Sequence, residues 1–204
     1  NNIIERLTTN SSGQTETIEL PAPPIELSLN EANTTRPYTT YNIRIEALGY
    51  ETEFIENAEI LPDVLAIQNV RLTSKNASLT EDIMIPDHTL YGEYPPKVPE
   101  EEIKPVNEPG EIVLSRVVVP EIIVVHDGIP SDSSAQNYYV NYRDYIKNVA
   151  SSEIYATWPT ATIEANVLAI MSFTLNRVYT EWYRNKGYDF TITSSTAYDQ
   201  KWIY

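Results

Sequence analysis

Apolar and polar positions alternate with period two through much of the first third of the chain. Tyr41-Asn42-Ile43-Arg44-Ile45-Glu46-Ala47 is apolar at odd positions and polar at even ones, as in a half-buried strand. Shorter stretches of the same kind occur at residues 3–7, 15–20, 25–29, 51–55 and 66–72. Turn formers at 8–13, prolines at 21–24 and Gly49 separate them. About six short strands with turns every eight to twelve residues predict a small β-sandwich over residues 1–72. The alternation then lapses. Six of the fourteen prolines fall between Pro86 and Pro109, and Glu100-Glu101-Glu102 adds a charge run. Residues 73–111 therefore read as an acidic, extended linker that buries little.

From Ile112 the pattern tightens. Residues 117–125 are nearly continuously β-branched and predict a strand buried on both faces, which Pro120 either splits or marks as a bulge or edge. Tyr142, Tyr145, Ile146 and Val149 stand at helical spacing. A second helix, about 159–185, carries Ile163, Val167, Ile170, Met171, Thr174 and Val178 on one side. Pro159 suits its first turn and Gly187 its stop. The expected fold class is α+β: an N-terminal all-β sandwich at 1–72, the linker at 73–111, and the first part of an α+β domain at 112–204.

Composition narrows the function classes. The chain has 29 acidic and 14 basic residues among 204, a net charge of −15. That balance opposes nucleic-acid binding and docking on an anionic membrane. No apolar run approaches the roughly 18–20 residues of a membrane span. With no cysteine and two histidines, His88 and His126, neither a thiol nucleophile nor a tetrahedral zinc set is expected, and no cofactor is implied. The start at Asn1-Asn2 and the end at Tyr204 read as cuts in a longer protein.

The chemistry concentrates at residues 144–182. Helical periodicity ends in Ser151-Ser152-Glu153, followed by Tyr155, Trp158 and Pro159. A carboxylate at a helix C-terminus opposes the dipole and needs a reason to be there. One reason is plain solvation at a helix end. The other is catalytic: a glutamate between helices and against aromatic rings has its pKa raised and can donate a proton. The remaining acids read as structural. Glu164 suits a helix N-terminus, Asp144 a helix surface, and Glu181 a pair with Arg177 four residues earlier. His88, beside Asp87, reads as a surface feature.

The run Tyr145-Ile-Lys-Asn-Val-Ala-Ser-Ser-Glu153, then Trp158-Pro159 and Glu164-Ala-Asn-Val-Leu-Ala169, resembles the catalytic motif of stage II sporulation protein D domains. Within these it is most similar to spore cortex-lytic enzymes, which are stored as inactive precursors. The resemblance covers roughly residues 120–204. It implies a peptidoglycan lytic transglycosylase with Glu153 as the single acid/base, and Ser152, Tyr155, Trp158, His126 and Gln200 as substrate-binding candidates. It also implies spore cortex peptidoglycan as partner, a location outside the inner spore membrane, and an activating germination protease. Met171 stands where family members often carry arginine, and Gln200…Tyr204 only loosely echoes a later Gln-x-Tyr element. Turn positions at 8–15 and 37–41 and the Gly49-Tyr50 pair resemble transthyretin-like modules. The activating cut is expected between about 73 and 119, near Val113-Leu114-Ser115-Arg116. The alternative from another class is a non-catalytic peptidoglycan-binding or spore-assembly module.

Overall fold

The computed structural model describes residues 2–75, 83–87, 90, 94–99 and 114–204. The fold is mixed α+β, with two small three-stranded sheets among the described residues. The chain divides into two units. One comprises Asn1–Ile25 and Pro37–Ile85, the other Glu26–Arg36 and Pro86–Tyr204. The boundary thus lies at 85/86 instead of 72 and 111, and eleven residues read as part of the sandwich pack with the second unit.

In the first unit, β1 (Thr39–Ile45) and β2 (Glu53–Ile60) form an antiparallel hairpin, and β3 (Ile83–Met84) adds in parallel to β2. The alternating pattern at 41–47 thus marks a real strand, two residues out of place. Gly49, at φ 87°, takes the positive-φ position of the connection, where Tyr50 N donates to Ala47 O. The register shifts between Tyr41 and Ile43, opposite Asn57 at φ 62°, whose N–H donates to Asn42 Oδ1. Asparagine tolerates that left-handed bulge position better than a branched residue would. Among the described residues this unit has one sheet, with no second sheet to complete a sandwich. Residues 3–7, 15–20 and 66–72 are not strands. Residues 25–29 are overridden too: α1 (Glu26–Leu29) is a single helical turn. Local alternation does not make a strand without a neighbouring edge to receive its hydrogen bonds.

The second unit is built on β4 (Ile122–His126), flanked by antiparallel β5 (Asn137–Asn141) and parallel β6 (Ile192–Thr193). Two helices follow β5: α2 (Tyr142–Glu153) and α3 (Thr160–Tyr179). Ile123 and Val125 pack with Tyr145, Val149 and Ile170 in one core cluster, whereas Val124 packs with Trp182, Tyr183 and Phe190 in another. β4 is therefore buried on both faces. Val117, Val118 and Val119 lie outside it and are exposed, because Pro120 has no N–H to continue the ladder. α3 also stops short of its sequence pattern: Thr180 caps it, and residues 184–186 form a separate 3₁₀ turn closed by Gly187 at φ 84°.

Candidate active site

Glu153 is the last residue of α2. The chain leaves the helix at Ile154, which is extended and donates its N–H to Ala150 O. The carboxylate is half-buried, and its one hydrogen bond among those resolved is a long one, from Asn166 Nδ2 to Oε2 at 3.3 Å. Asn166 lies on α3, so the two helices frame the acid from both sides. Burial raises the Glu153 pKa above the ordinary glutamate value, against the opposing pull of the Asn166 bond and the Lys97 charge. This is the environment in which a carboxylic acid stays protonated long enough to donate.

A polar row along one side of α3 continues from Asn166. Thr174 Oγ1 lies 2.8 Å from Ile170 O and 2.9 Å from Gln200 Oε1, which also accepts a longer bond from the Tyr145 hydroxyl at 3.4 Å. Arg177 Nε donates to Asp199 Oδ1 at 2.8 Å, with both side chains buried. Its guanidinium lies 4.5 Å from the centre of the Phe173 ring and 4.1 Å from that of Trp182. Asp199 Oδ2 accepts from Tyr183 Oη, Thr193 N and Thr193 Oγ1. Burial and the adjacent carboxylate push the Tyr183 hydroxyl pKa far upward, so it remains a donor. Arg177 therefore does not pair with Glu181; Glu181 instead meets Arg184 at 3.6 Å. The expected i,i+4 pair loses because α3 ends at Tyr179 and Glu181 turns away at φ 48°.

The substrate-binding candidates occupy different settings. Ser152 and Tyr155 are buried beside Glu153 in sequence. Trp158 is partly exposed and donates its indole N–H to Ser28 O at 2.9 Å. Gln200 is buried, with its carbonyl oxygen engaged as above. His126 is buried at the end of β4, stacked on Phe190 at 4.4 Å. Asn137 Nδ2 donates to Asp189, which leaves Asn137 Oδ1 to accept from His126 Nδ1 at 2.8 Å. The other ring nitrogen, Nε2, is buried and has no hydrogen-bond partner among the described residues. His88 lies outside the described residues.

Periodicity alone missed Asn166 and Asp199, and it placed Thr174 in the apolar stripe of the helix without its polar role. The available signal was the way Asn166, Thr174 and Arg177 interrupt the apolar stripe of α3 with one polar row; Asp199, in a coil, gave none. A cleft of about 150 Å³ lies at the other end of α3, lined by Ile122, Val178, Trp182 and Arg184 among others. Arg177 borders it, eleven residues or about 16 Å along the helix from Asn166. It contains none of the candidate residues, and the perturbed carboxyl with its two-helix frame is the better guide to chemistry. Among the described residues, no group of three or more His, Asp or Glu side chains could hold a metal ion, and no helix is long and apolar enough to cross a membrane. No family model, curated protein or solved structure matches the chain.

Proposed function

We propose that the chain carries part of a peptidoglycan lytic transglycosylase that cleaves spore cortex glycan during germination, with Glu153 as its acid/base. The observation that carries this reading is the half-buried Glu153 carboxyl, raised in pKa at the end of α2 and held only loosely by Asn166. The protonated carboxyl gives its proton to the glycosidic oxygen between N-acetylmuramic acid and N-acetylglucosamine, and the C1–O bond breaks. The resulting carboxylate takes the proton of the muramic 6-hydroxyl as O6 bonds to C1. The products are a 1,6-anhydro end and a new 4-hydroxyl, and the carboxyl is regenerated. One acid suffices because the substrate supplies the nucleophile, unlike the two-carboxylate arrangement of most glycosidases.

The finer fold reading belongs to the same proposal. Residues 112–204 are taken as the first part of a domain of the stage II sporulation protein D type, preceded by a transthyretin-like module that is removed with the linker by a germination protease. Leu114, Ser115 and Arg116 precede β4, so a cut beside them spares its ladder; Val113 lies outside the described residues.

Glu153→Gln is the test. Anhydro-muropeptide release from cortex fragments should fall by about 10²–10⁴-fold, the range for loss of a general acid/base, while binding to the fragments persists. Unchanged release would remove the transglycosylase and leave a binding or assembly module. Products with free reducing ends would point to a hydrolase.

A further inference from the structure

Two asparagines of the second unit are pinned at both ends of the amide. Asn33 Oδ1 accepts from Thr35 N while its Nδ2 donates to Leu27 O. Asn148 Nδ2 donates to Ile203 O while its Oδ1 accepts from Ile203 N. Each amide is thereby held in one orientation. Asn166 is different. It stands inside α3, where asparagine is a poor helix former, and its Nδ2 donates to Glu153 Oε2 at 3.3 Å. Its Oδ1 is buried and has no hydrogen-bond partner among the described residues. No donor pins the amide at that end.

An asparagine amide turns about a soft, roughly two-fold torsion, and its O and NH₂ ends have nearly the same shape. Turned one way, Nδ2 donates to the Glu153 carboxylate, as it does here. Turned the other way, Oδ1 faces the same oxygen and accepts a hydrogen bond from the protonated carboxyl. With nothing holding Oδ1 elsewhere, the amide is free to follow the proton. The titratable groups that face Glu153 from other positions cannot match both of its forms. Lys97 favours only the carboxylate, and burial keeps the Tyr145 hydroxyl protonated, so it brings no charge. Lys97 lies in the stretch expected to be free linker, which is docked here by the Val98 N–H on Ala197 O at 2.8 Å. A donor fixed in place would hold the carboxylate and resist its reprotonation. An acid/base that gives up a proton and takes one back needs a partner for each form.

We infer that Asn166 is a positioning residue whose amide turns with the Glu153 proton, donating to the carboxylate and accepting from the acid, so that one side chain aims both forms. The use made of the two forms rests on the transglycosylase reading. The rotation itself belongs to the folded chain and is measured without turnover. In NMR spectra of the isotope-labelled full chain, the Asn166 Cγ resonance should share the midpoint of the Glu153 Cδ titration. It should move downfield as the proton arrives, the sense for a carbonyl that begins to accept, while Nδ2 moves upfield as it stops donating. An Asn166 Cγ that stays put or moves upfield while Glu153 titrates would show a fixed donor and overturn the inference. Asn166→Leu favours the helix and removes the partner of both forms. The Glu153 midpoint should then rise, because the bond to the charged form is the stronger of the two lost. Its kcat for anhydro-muropeptide release should fall about two- to tenfold at constant KM, the range for one net hydrogen bond. Asn166→Gln, which keeps the amide, should recover most of that loss. An unchanged kcat in Asn166→Leu would remove the positioning role. A Cγ step of the expected sense with release that does not depend on Glu153 would sink the transglycosylase reading and leave the rotation in place.

Discussion

Two carboxylates flank α3 about three turns apart, and their surroundings are opposites. Asp199 accepts four hydrogen bonds, from Arg177, Tyr183 and two groups of Thr193, and is fully buried. Glu153 accepts one long bond from Asn166 and remains partly open to solvent. A carboxylate satisfied on both oxygens and clamped to a buried guanidinium has no lone pair to offer a substrate; it fixes geometry. A carboxyl pushed toward its neutral form by burial, with little to hold the charged form, is free to exchange a proton. Satisfaction, more than burial, separates the two roles. By this criterion the Arg177–Asp199 end of α3 is scaffold, and the Asn166–Glu153 end is the one that suits the proposed chemistry.

The hardest test of that contrast removes the scaffold charge. Asp199→Asn would leave Arg177 buried without its anion and set an amide N–H₂ against the donors of Tyr183 or Thr193. A loss of about 3–5 kcal/mol in denaturant unfolding is expected, the range for breaking one side of a buried pair. A loss below about 1 kcal/mol would mean that partners such as the Phe173 and Trp182 rings and the Tyr198 carbonyl hold the guanidinium without the carboxylate.

Thr174→Val is milder. It deletes the hydroxyl between Ile170 O and Gln200 Oε1 at almost constant volume, so about 1–2 kcal/mol should be lost. If Gln200 is held for structure, release of muropeptides by the folded variant should keep its KM. A raised KM at unchanged stability would instead return Gln200 to the substrate.

How much of this was legible follows the same division between local and long-range causes. The strand at 41–47, β4 and both long helices are written in local periodicity, although β4 begins five residues later than expected and α3 ends six residues sooner. Glu153 stood out because a helix C-terminus is a poor place for a carboxylate. Asp199 could not be read, because its partners lie at Arg177, Tyr183 and Thr193 and only the tertiary fold gathers them. The same holds for Glu26–Arg36. Its period-two pattern argued for a strand, but burial of Ser28 against Thr157 and Trp158 outweighed that weak propensity. Residues 94–99 misled through composition: proline-rich backbone is extended, which suits a free linker and a docked strap equally.

The smallest expected effect bears most directly on the chemistry. Burial raises the Glu153 pKa above the ordinary value of 4.5, so the folded protein holds that proton more tightly than the unfolded chain does. The group's contribution to stability is therefore full below pH 4.5 and is lost as pH rises through the folded value. At neutral pH the ionised carboxylate weakens the fold. Glu153→Gln keeps the shape and cannot ionise, so it should melt higher than the parent at pH 7. The gain should stay below about 1 kcal/mol, since a half-buried group is screened by solvent. It should shrink as the pH is lowered and vanish once the parent carboxyl is protonated in both states. Melting curves of the two proteins from pH 4 to 8 (~0.5-unit steps suffice) give the comparison. A difference constant across pH would trace to the Asn166 contact and not to ionisation. A variant less stable than the parent at pH 7 would mean that Asn166 and Lys97 hold Glu153 as a carboxylate, which would place it with Asp199 among the scaffold groups and remove the proton donor from the site.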